Sequence, residues 1–365
     1  MKRLFCLSLA LLLIPCLACA EFSESSVVYD PALAQRALQI AELAYTPAIQ
    51  EAVLSLDGFV KRGDYNAVRA AGDKRHVAAY AVYDKALDGG GTAVVIAIRG
   101  TGEGEWPLNL ELMPSGNYDL DYAENFWLAA EDVLAAQADY LDALDGPVFL
   151  VTGHSRGAGV ANILGARLTD RFGAENVFAY TFAAPRTVRG DYPAYENIFN
   201  VINPADIVTL LPLPQWGFER YGVDRILPVD DPELFAQAEA AYRARSDASG
   251  PFSALDSGTA KALTEVMAQL AATPADIAAR RALAHPGLAE EGEDGMTPGE
   301  FFLLAFSDGL SFQGRPTGAL ARLTQAENDF TPLLAALQSA LSDGNSLSAA
   351  HMPAVYGAWM TASEN

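Results

Sequence analysis

Cysteine is almost missing from this chain. There are three in 365 residues, and all of them (Cys6, Cys16 and Cys19) stand among the first twenty. That opening stretch, "MKRLFCLSLALLLIPCLACA", has a basic start at Lys2 and Arg3, an apolar middle and the small residues Ala18-Cys19-Ala20. It reads as an export signal cut after Ala20, too short to span a bilayer comfortably. The expected organisation is therefore a signal over 1–20 and one catalytic domain over 21–365, secreted or periplasmic. Lipid attachment at Cys19 is the weaker alternative, because Cys16 occupies the position three before it, where an aliphatic residue belongs. The mature chain would have neither disulfides nor thiol chemistry. Packing alone must hold it, and it is long enough to bury the core that this requires.

Positive charge is also scarce. Lys and Arg number 24 against 46 Asp and Glu, a net charge of -22 that becomes more negative once Lys2 and Arg3 are removed. Such a surface argues against nucleic acid and against anionic lipid as partners. It suits a neutral substrate, and it serves solubility equally well. Beyond residue 20 no run is long and apolar enough to cross a membrane, and there are no internal repeats.

The remaining pattern is an alternation of helices and strands. "PALAQRALQIAELAY" (31–45) and "PAIQEAVLSL" (47–56) read as helices. "HVAAYAVYD" (76–84) and "TAVVIAIRG" (92–100) read as strands, the second apolar enough to be buried on both faces. A helix over 124–144, a strand over 147–152, a helix from Ser155 to about Arg171 and strands over 177–185 and 197–202 follow. This order implies an α/β fold with a mostly parallel central sheet and helices on both faces. From about residue 230 to 345 the texture changes to Ala-rich helical segments broken by Pro and Gly, read as a helical insertion.

One stretch carries chemistry. In "FLVTGHSRGAGVANILGARL" (149–168) a serine stands between Gly153 and Gly157 where an apolar strand meets a helix. G-x-S-x-G alone arises by chance in roughly one chain in ten of this length. Its position at a strand-to-helix turn is what gives it weight. Such a turn lifts a hydroxyl out of the sheet's carboxyl end and aims free helix N–H groups at the oxyanion formed when it attacks a carbonyl. Side chains at 153 and 157 would collide with the neighbouring strand and helix.

Ser155 needs a base, and the chain has four histidines. His76 opens a strand and reads as structural. His154 adjoins the serine, but side chains diverge on such a turn, so a local hydrogen bond is expected of it. His285, in the helical region, and His351, in "SLSAAHMPAVYG", remain. His351 is preferred because it follows the last helical segment, where a loop can return to the sheet's end. The acid that orients the base is expected at Asp206, a few residues past an apolar strand in "VINPADIVTLLP".

The set "AIRGT" (97–101), "VTGHSRG" (151–157), "TFAAPR" (181–186), "NPADIVTLLP" (203–212) and "HMPAVY" (351–356) resembles the class 3 lipases, the fungal-lipase-like α/β hydrolases. The resemblance covers roughly residues 75–215 and the C-terminal end. It implies an α/β-hydrolase fold with Ser155 as nucleophile, Asp206 as acid and His351 as base. It further implies Thr101 and the backbone N–H of Arg156 as oxyanion donors, no cofactor, and a carboxylic ester, often an acylglycerol at a lipid interface, as substrate. The family usually has an aliphatic residue where Arg156 stands, and a salt bridge to Glu103 or Glu105 is one use for that side chain. The separation of acid from base marks the insertion at about 230–345 as a cap. Residues 102–120 occupy the family's lid position, with Trp106 and Leu108 as acyl-facing candidates and Trp216 and Phe218 as further ones. An esterase or phospholipase, or a non-catalytic lipid-binding protein on the same scaffold, are the competing readings.

Overall fold

A computed structural model of the chain describes residues 22, 25–66, 77–101, 120–212, 214, 217–245, 252, 257–258, 260–261, 264 and 349–364. The expected signal over 1–20, nearly all of the lid stretch and most of the expected cap lie outside the described residues.

Two helices come first, α1 (Pro31–Leu43) and α2 (Pro47–Leu56). Each begins with a proline, whose missing N–H costs nothing in the first turn. Asp30 caps α1 by accepting from the Ala32 and Leu33 amides at 2.8 and 3.1 Å. Then come β1 (Val60–Tyr65), β2 (Tyr80–Ala86) and β3 (Thr92–Ile98), paired antiparallel in that order. Helices α3 (Glu124–Ala136) and α4 (Ala138–Asp142) lead to β4 (Pro147–His154), and α5 (Arg156–Phe172) leads to β5 (Val177–Phe182). A two-residue β6 (Val188–Arg189), then β7 (Ile198–Ile202), β8 (Phe218–Glu219) and β9 (Val223–Ile226) complete the strands. Helices α6 (Pro232–Ala244) and α7 (Pro353–Glu364) close the described chain.

The main sheet has seven strands in the order β1-β2-β3-β4-β5-β7-β9, and from β3 onward every pair is parallel. The expected mostly parallel sheet is therefore present, with an antiparallel edge added by β1 and β2. Side chains of β3 show why its sequence is apolar throughout. Ala93, Val95 and Ala97 pack in one core with Leu33 and Leu38 of α1 and Trp359 of α7. Val94, Ile96 and Ile98 pack in another with Phe126 and Val133 of α3 and Val160 and Leu164 of α5. A period of two with helices on both faces gives an uninterrupted apolar run.

Three details differ from the sequence reading. The helix expected over 124–144 is interrupted at Gln137, whose backbone leaves the helical region at φ -107°, ψ 9°. Strands β1 and β9 were not expected; their residues are mostly exposed, so neither carries an apolar run. Helix α7 was not expected either, and it supplies the buried Tyr356 and Trp359.

Parallel register sets the location of the site. Ile98 lies opposite Gly153, Gly153 opposite Thr181, and Phe182 opposite Val201. The carboxyl ends of β3, β4, β5 and β7 are thus level, and the segments that leave them (Arg99–Thr101, Ser155, Ala183–Arg186 and Asn203–Asp206) emerge side by side. A buried polar network fixes α5 against this edge of the sheet. Asn162 of α5 donates to Asn200 Oδ1 and to the Tyr221 carbonyl, both at 2.9 Å, and accepts from Thr187 Oγ1 at 2.7 Å. Asn200 Oδ1 also accepts from Thr181 Oγ1 at 2.6 Å. Because each of these buried groups is partnered, the network penalises a shifted register, in which they would be stranded.

Candidate active site

The turn at Ser155 is made in one residue. Its N–H still donates to the Phe182 carbonyl at 3.0 Å, continuing the β4–β5 pairing. Its own carbonyl already accepts from Ala158 and Gly159 at 2.9 and 3.2 Å, which starts α5. The residue that does both has φ +61° and ψ -130°, a region L-residues avoid. Such a conformation costs about 1–3 kcal/mol. Burying one large side chain of β4, such as Phe149 or Leu150, returns about 1.5–3 kcal/mol, so the strand's packing is enough to hold the turn. The two flanking glycines have separate reasons. A Cβ at 153 would stand 2.5 Å from the Gly157 carbonyl carbon, and one at 157 would stand 2.7 Å from the Arg99 carbonyl carbon. The first collides with the start of α5, the second with the end of β3.

Three side chains meet above this turn. Nε2 of His351 lies 2.8 Å from Ser155 Oγ, and Nδ1 of His351 lies 2.8 Å from Asp206 Oδ2. A carboxylate oxygen only accepts, so Nδ1 carries the proton and Nε2 is left to accept from the hydroxyl. All three are buried, Asp206 completely. Asp206 Oδ1 takes the Val208 amide at 3.0 Å and Oδ2 takes the Tyr356 hydroxyl at 2.8 Å. Asn203 binds the base and acid segments together: its Nδ2 donates to the Ala350 carbonyl at 2.9 Å, and its Oδ1 accepts from the Ala205 amide at 2.9 Å.

His154 does something other than the local hydrogen bond expected of it. Its Nε2 lies 2.7 Å from the carbonyl oxygen of His351, and its Nδ1 lies 2.9 Å from the hydroxyl of Tyr45, at the end of α1. The turn does make the side chains of 154 and 155 diverge, but His154 diverges onto the backbone of the residue that touches Ser155. Burial, and after it the neighbouring His351, pushes the His154 imidazole well below its ordinary 6.5.

Arg156 opens α5, so its N–H is one of the first-turn amides that have no acceptor within the helix, at the positive end of the helix dipole. Its side chain is buried. Thr101 follows the end of β3 and is half-buried. His76, His285, Glu103, Glu105, Trp106, Leu108 and Trp216 lie outside the described residues. Phe218 is not at the site: it is buried in β8, packed in the core with α3 and α5. Sequence reasoning missed Tyr45, Asn203, Tyr356 and the reach of His154. Asn203, Tyr356 and His154 stood inside the motif stretches already singled out, and Tyr45 closed the first helical stretch, but nothing in either pattern pointed to these contacts.

A strained serine on a strand-to-helix turn, with an imidazole and a carboxylate in line at the carboxyl edge of a mostly parallel sheet, is the arrangement that nucleophilic catalysis by a serine requires. Residues 95–216, about a third of the chain, match the family model described as lipase (class 3). The match runs from β3 past the acid; His351 lies beyond it. Among solved structures the chain is similar to a deletion variant of the Rhizomucor miehei lipase–propeptide complex, 17% identical over 54% of this chain and 66% of that one, TM-score 0.43. It is also similar to the lipase of Rhizopus microsporus var. chinensis (17%, 53% and 73%, TM-score 0.41) and to lipase II of Rhizopus niveus (17%, 55% and 82%, TM-score 0.42). This chain therefore spans just under two thirds of the first of these.

Proposed function

We propose that this protein is an exported serine ester hydrolase, a lipase that cleaves acylglycerols through an acyl-enzyme on Ser155. The observation that carries the reading is the unbroken line from Ser155 Oγ through both ring nitrogens of His351 to Asp206, with 2.8 Å at each step. His351 Nε2 removes the hydroxyl proton as Oγ attacks the ester carbonyl carbon. Asp206 holds the imidazole in the tautomer that can accept that proton and stabilises the imidazolium that results. The tetrahedral oxyanion is held by the Arg156 N–H and by Thr101, each good donor contributing about 3 kcal/mol. The imidazolium returns its proton to the leaving alcohol. His351 then activates a water that hydrolyses the acyl-enzyme, releasing the carboxylic acid and restoring Ser155.

None of these steps uses a metal or a cofactor, and an acyl chain needs no charge to recognise it, which fits the acidic composition. Export rests on residues 1–20 alone, and mass analysis of the mature N-terminus tests it. Among the described residues no helix is long and apolar enough to cross a membrane.

The test of the chemistry is Ser155→Ala, expected to abolish hydrolysis of a short p-nitrophenyl ester and labelling by a fluorophosphonate while leaving the circular-dichroism spectrum unchanged. Full activity in that variant refutes the assignment. Rates on esters from butyrate to long-chain triacylglycerol emulsions, with a phospholipid alongside, separate lipase from esterase and phospholipase.

A further inference from the structure

Resting on that reading, we propose that His154 and Tyr45 are positioning residues of the reaction, a strut that ties the base to the nucleophile's strand and to the oxyanion loop. His154 ends β4, one residue before the nucleophile, and is held in the sheet by its parallel pairing with Phe182 of β5. His351 lies outside the sheet, just ahead of α7. Its ring is held by Ser155 and Asp206, and its backbone by His154 Nε2 and, through the neighbouring Ala350 carbonyl, by Asn203.

The chemistry of the contact fixes which tautomer is present. A carbonyl oxygen only accepts, so His154 Nε2 carries the proton and donates. In a neutral imidazole Nδ1 must then accept, so the Tyr45 hydroxyl is the donor at 2.9 Å. Tyr45 thus stabilises the one tautomer able to hold His351. The His154 and His351 rings lie 4.8 Å apart, centre to centre. A charged His154 would oppose the imidazolium formed on His351 during acylation, so the strut works only while neutral.

A second observation ties the same hydroxyl to the other half of the site. Gly100 directly precedes Thr101. A Cβ there would overlap the Tyr45 hydroxyl and stand 2.6 Å from the His154 carbonyl oxygen. The backbone of the oxyanion loop is therefore laid against Tyr45 and His154, and the bare Gly100 is what allows this. One tyrosine and one histidine set the separation between the base and the donors for the oxyanion.

The test is steady-state kinetics of His154→Phe, His154→Gln and Tyr45→Phe, with active sites counted by fluorophosphonate labelling of Ser155 and folding followed by thermal denaturation. Displacing a catalytic group by about an ångström costs about a hundredfold. His154→Phe is therefore expected to lose about that much in kcat per labelled site, with KM unchanged. His154→Gln, whose amide N–H reaches as far as Nε2, is expected to recover most of it. Tyr45→Phe removes one hydrogen bond from a part-exposed site and is expected to lose about two- to tenfold in kcat. A merely structural role would lower the number of labelled sites and the melting temperature and leave kcat per site alone. That outcome in folded His154→Phe overturns the proposal. If His154→Phe does not fold, Tyr45→Phe and His154→Gln decide: wild-type kcat per site in the first, or no difference between the second and His154→Ala, overturns it as well. Failure of the wild-type enzyme to label at Ser155 overturns the reading beneath, and the proposal with it.

Discussion

Tyr356 donates its hydroxyl to Asp206 Oδ2 at 2.8 Å, the same oxygen that accepts from the base. That hydroxyl also accepts from the Asn203 amide at 3.2 Å. Burial and the facing Asp206 raise the phenol well above its ordinary 10, so it stays a donor at any working pH. The Asp206 carboxylate is therefore aligned by three donors: the Val208 amide, the Tyr356 phenol and the His351 imidazole.

Tyr356→Phe removes one of them and strands a second group. The ring still fills its place, but the Asn203 amide loses its acceptor, so the cost comes from unpaired polar groups rather than from a cavity. We expect a loss of about 1–3 kcal/mol in urea denaturation and about a tenfold fall in kcat as the carboxylate gains freedom to turn. Wild-type values for both would show that the hydroxyl is not what aligns Asp206.

The glycines of the turn separate local crowding from mere loss of flexibility. In Gly157→Ala the new methyl meets backbone at the end of β3, which cannot give way without moving Gly100 and Thr101. Overpacking of this kind costs about 1–3 kcal/mol. Activity is expected to fall further than stability, because the part displaced is the loop proposed to hold the oxyanion. Gly89→Ala is the control, since a Cβ there meets nothing within 4 Å. Equal kinetics in the two variants would remove the steric account of the elbow.

Much of the sheet and of the residue triad was legible in the sequence because both depend on short-range rules. An apolar run between turn signals marks a strand buried on both faces. A serine between glycines at the end of such a strand marks an elbow, and an aspartate just past another strand marks the acid. Strands β1 and β9 were not legible, since edge strands are mostly exposed and "VKRGDY" has no side to hide. The reach of His154 was not legible either: its partners are 109 and 197 positions away along the chain, and one is a backbone carbonyl that no residue type advertises. Phe218 shows the opposite failure, an aromatic near the acid whose burial in the core no local pattern could have distinguished from a place in a substrate pocket.

The pH dependence of stability should be asymmetric. Tyr83 and Tyr180 are buried, and burial pushes each phenol to about 12. The unfolded phenol ionises near 10, so between about pH 10 and 12 the unfolded chain releases protons that the folded one retains, and stability falls as pH rises. The two together set a slope of up to about 2.7 kcal/mol per pH unit in that window. On the acid side the sign reverses. His154 is held neutral in the fold, so below its ordinary 6.5 the unfolded chain binds a proton that the folded one refuses, and stability is lost as pH falls. Urea midpoints of the wild type and His154→Gln, compared from pH 8 down to 5, should therefore converge toward acid. Parallel curves would mean that His154 titrates alike in both states.

Arg220 offers the sharpest test of how the acid loop is anchored. It is buried, donating through Nε to the Ala184 carbonyl at 2.8 Å and through Nη2 to the Thr209 carbonyl, while Nη1 reaches Asp224 at 3.0 Å. Ala184 follows β5 and Thr209 follows Asp206, so one guanidinium joins two of the loops that form the site. The ion pair contributes little, because the Asp224 side chain is 38% exposed and water screens it. The carbonyls are buried with the fork, and each left unpaired costs about 1–3 kcal/mol. We therefore expect Arg220→Met to lose most of its stability through the carbonyls and to lower kcat by loosening Thr209 and the acid beside it. Arg220→Lys should rescue poorly, since a single ammonium cannot replace the planar fork on two divergent acceptors. Asp224→Asn should change either quantity by less than about 1 kcal/mol. If Asp224→Asn proves as damaging as Arg220→Met, the charge pair and not the loop-to-loop bridge is what holds the acid in place.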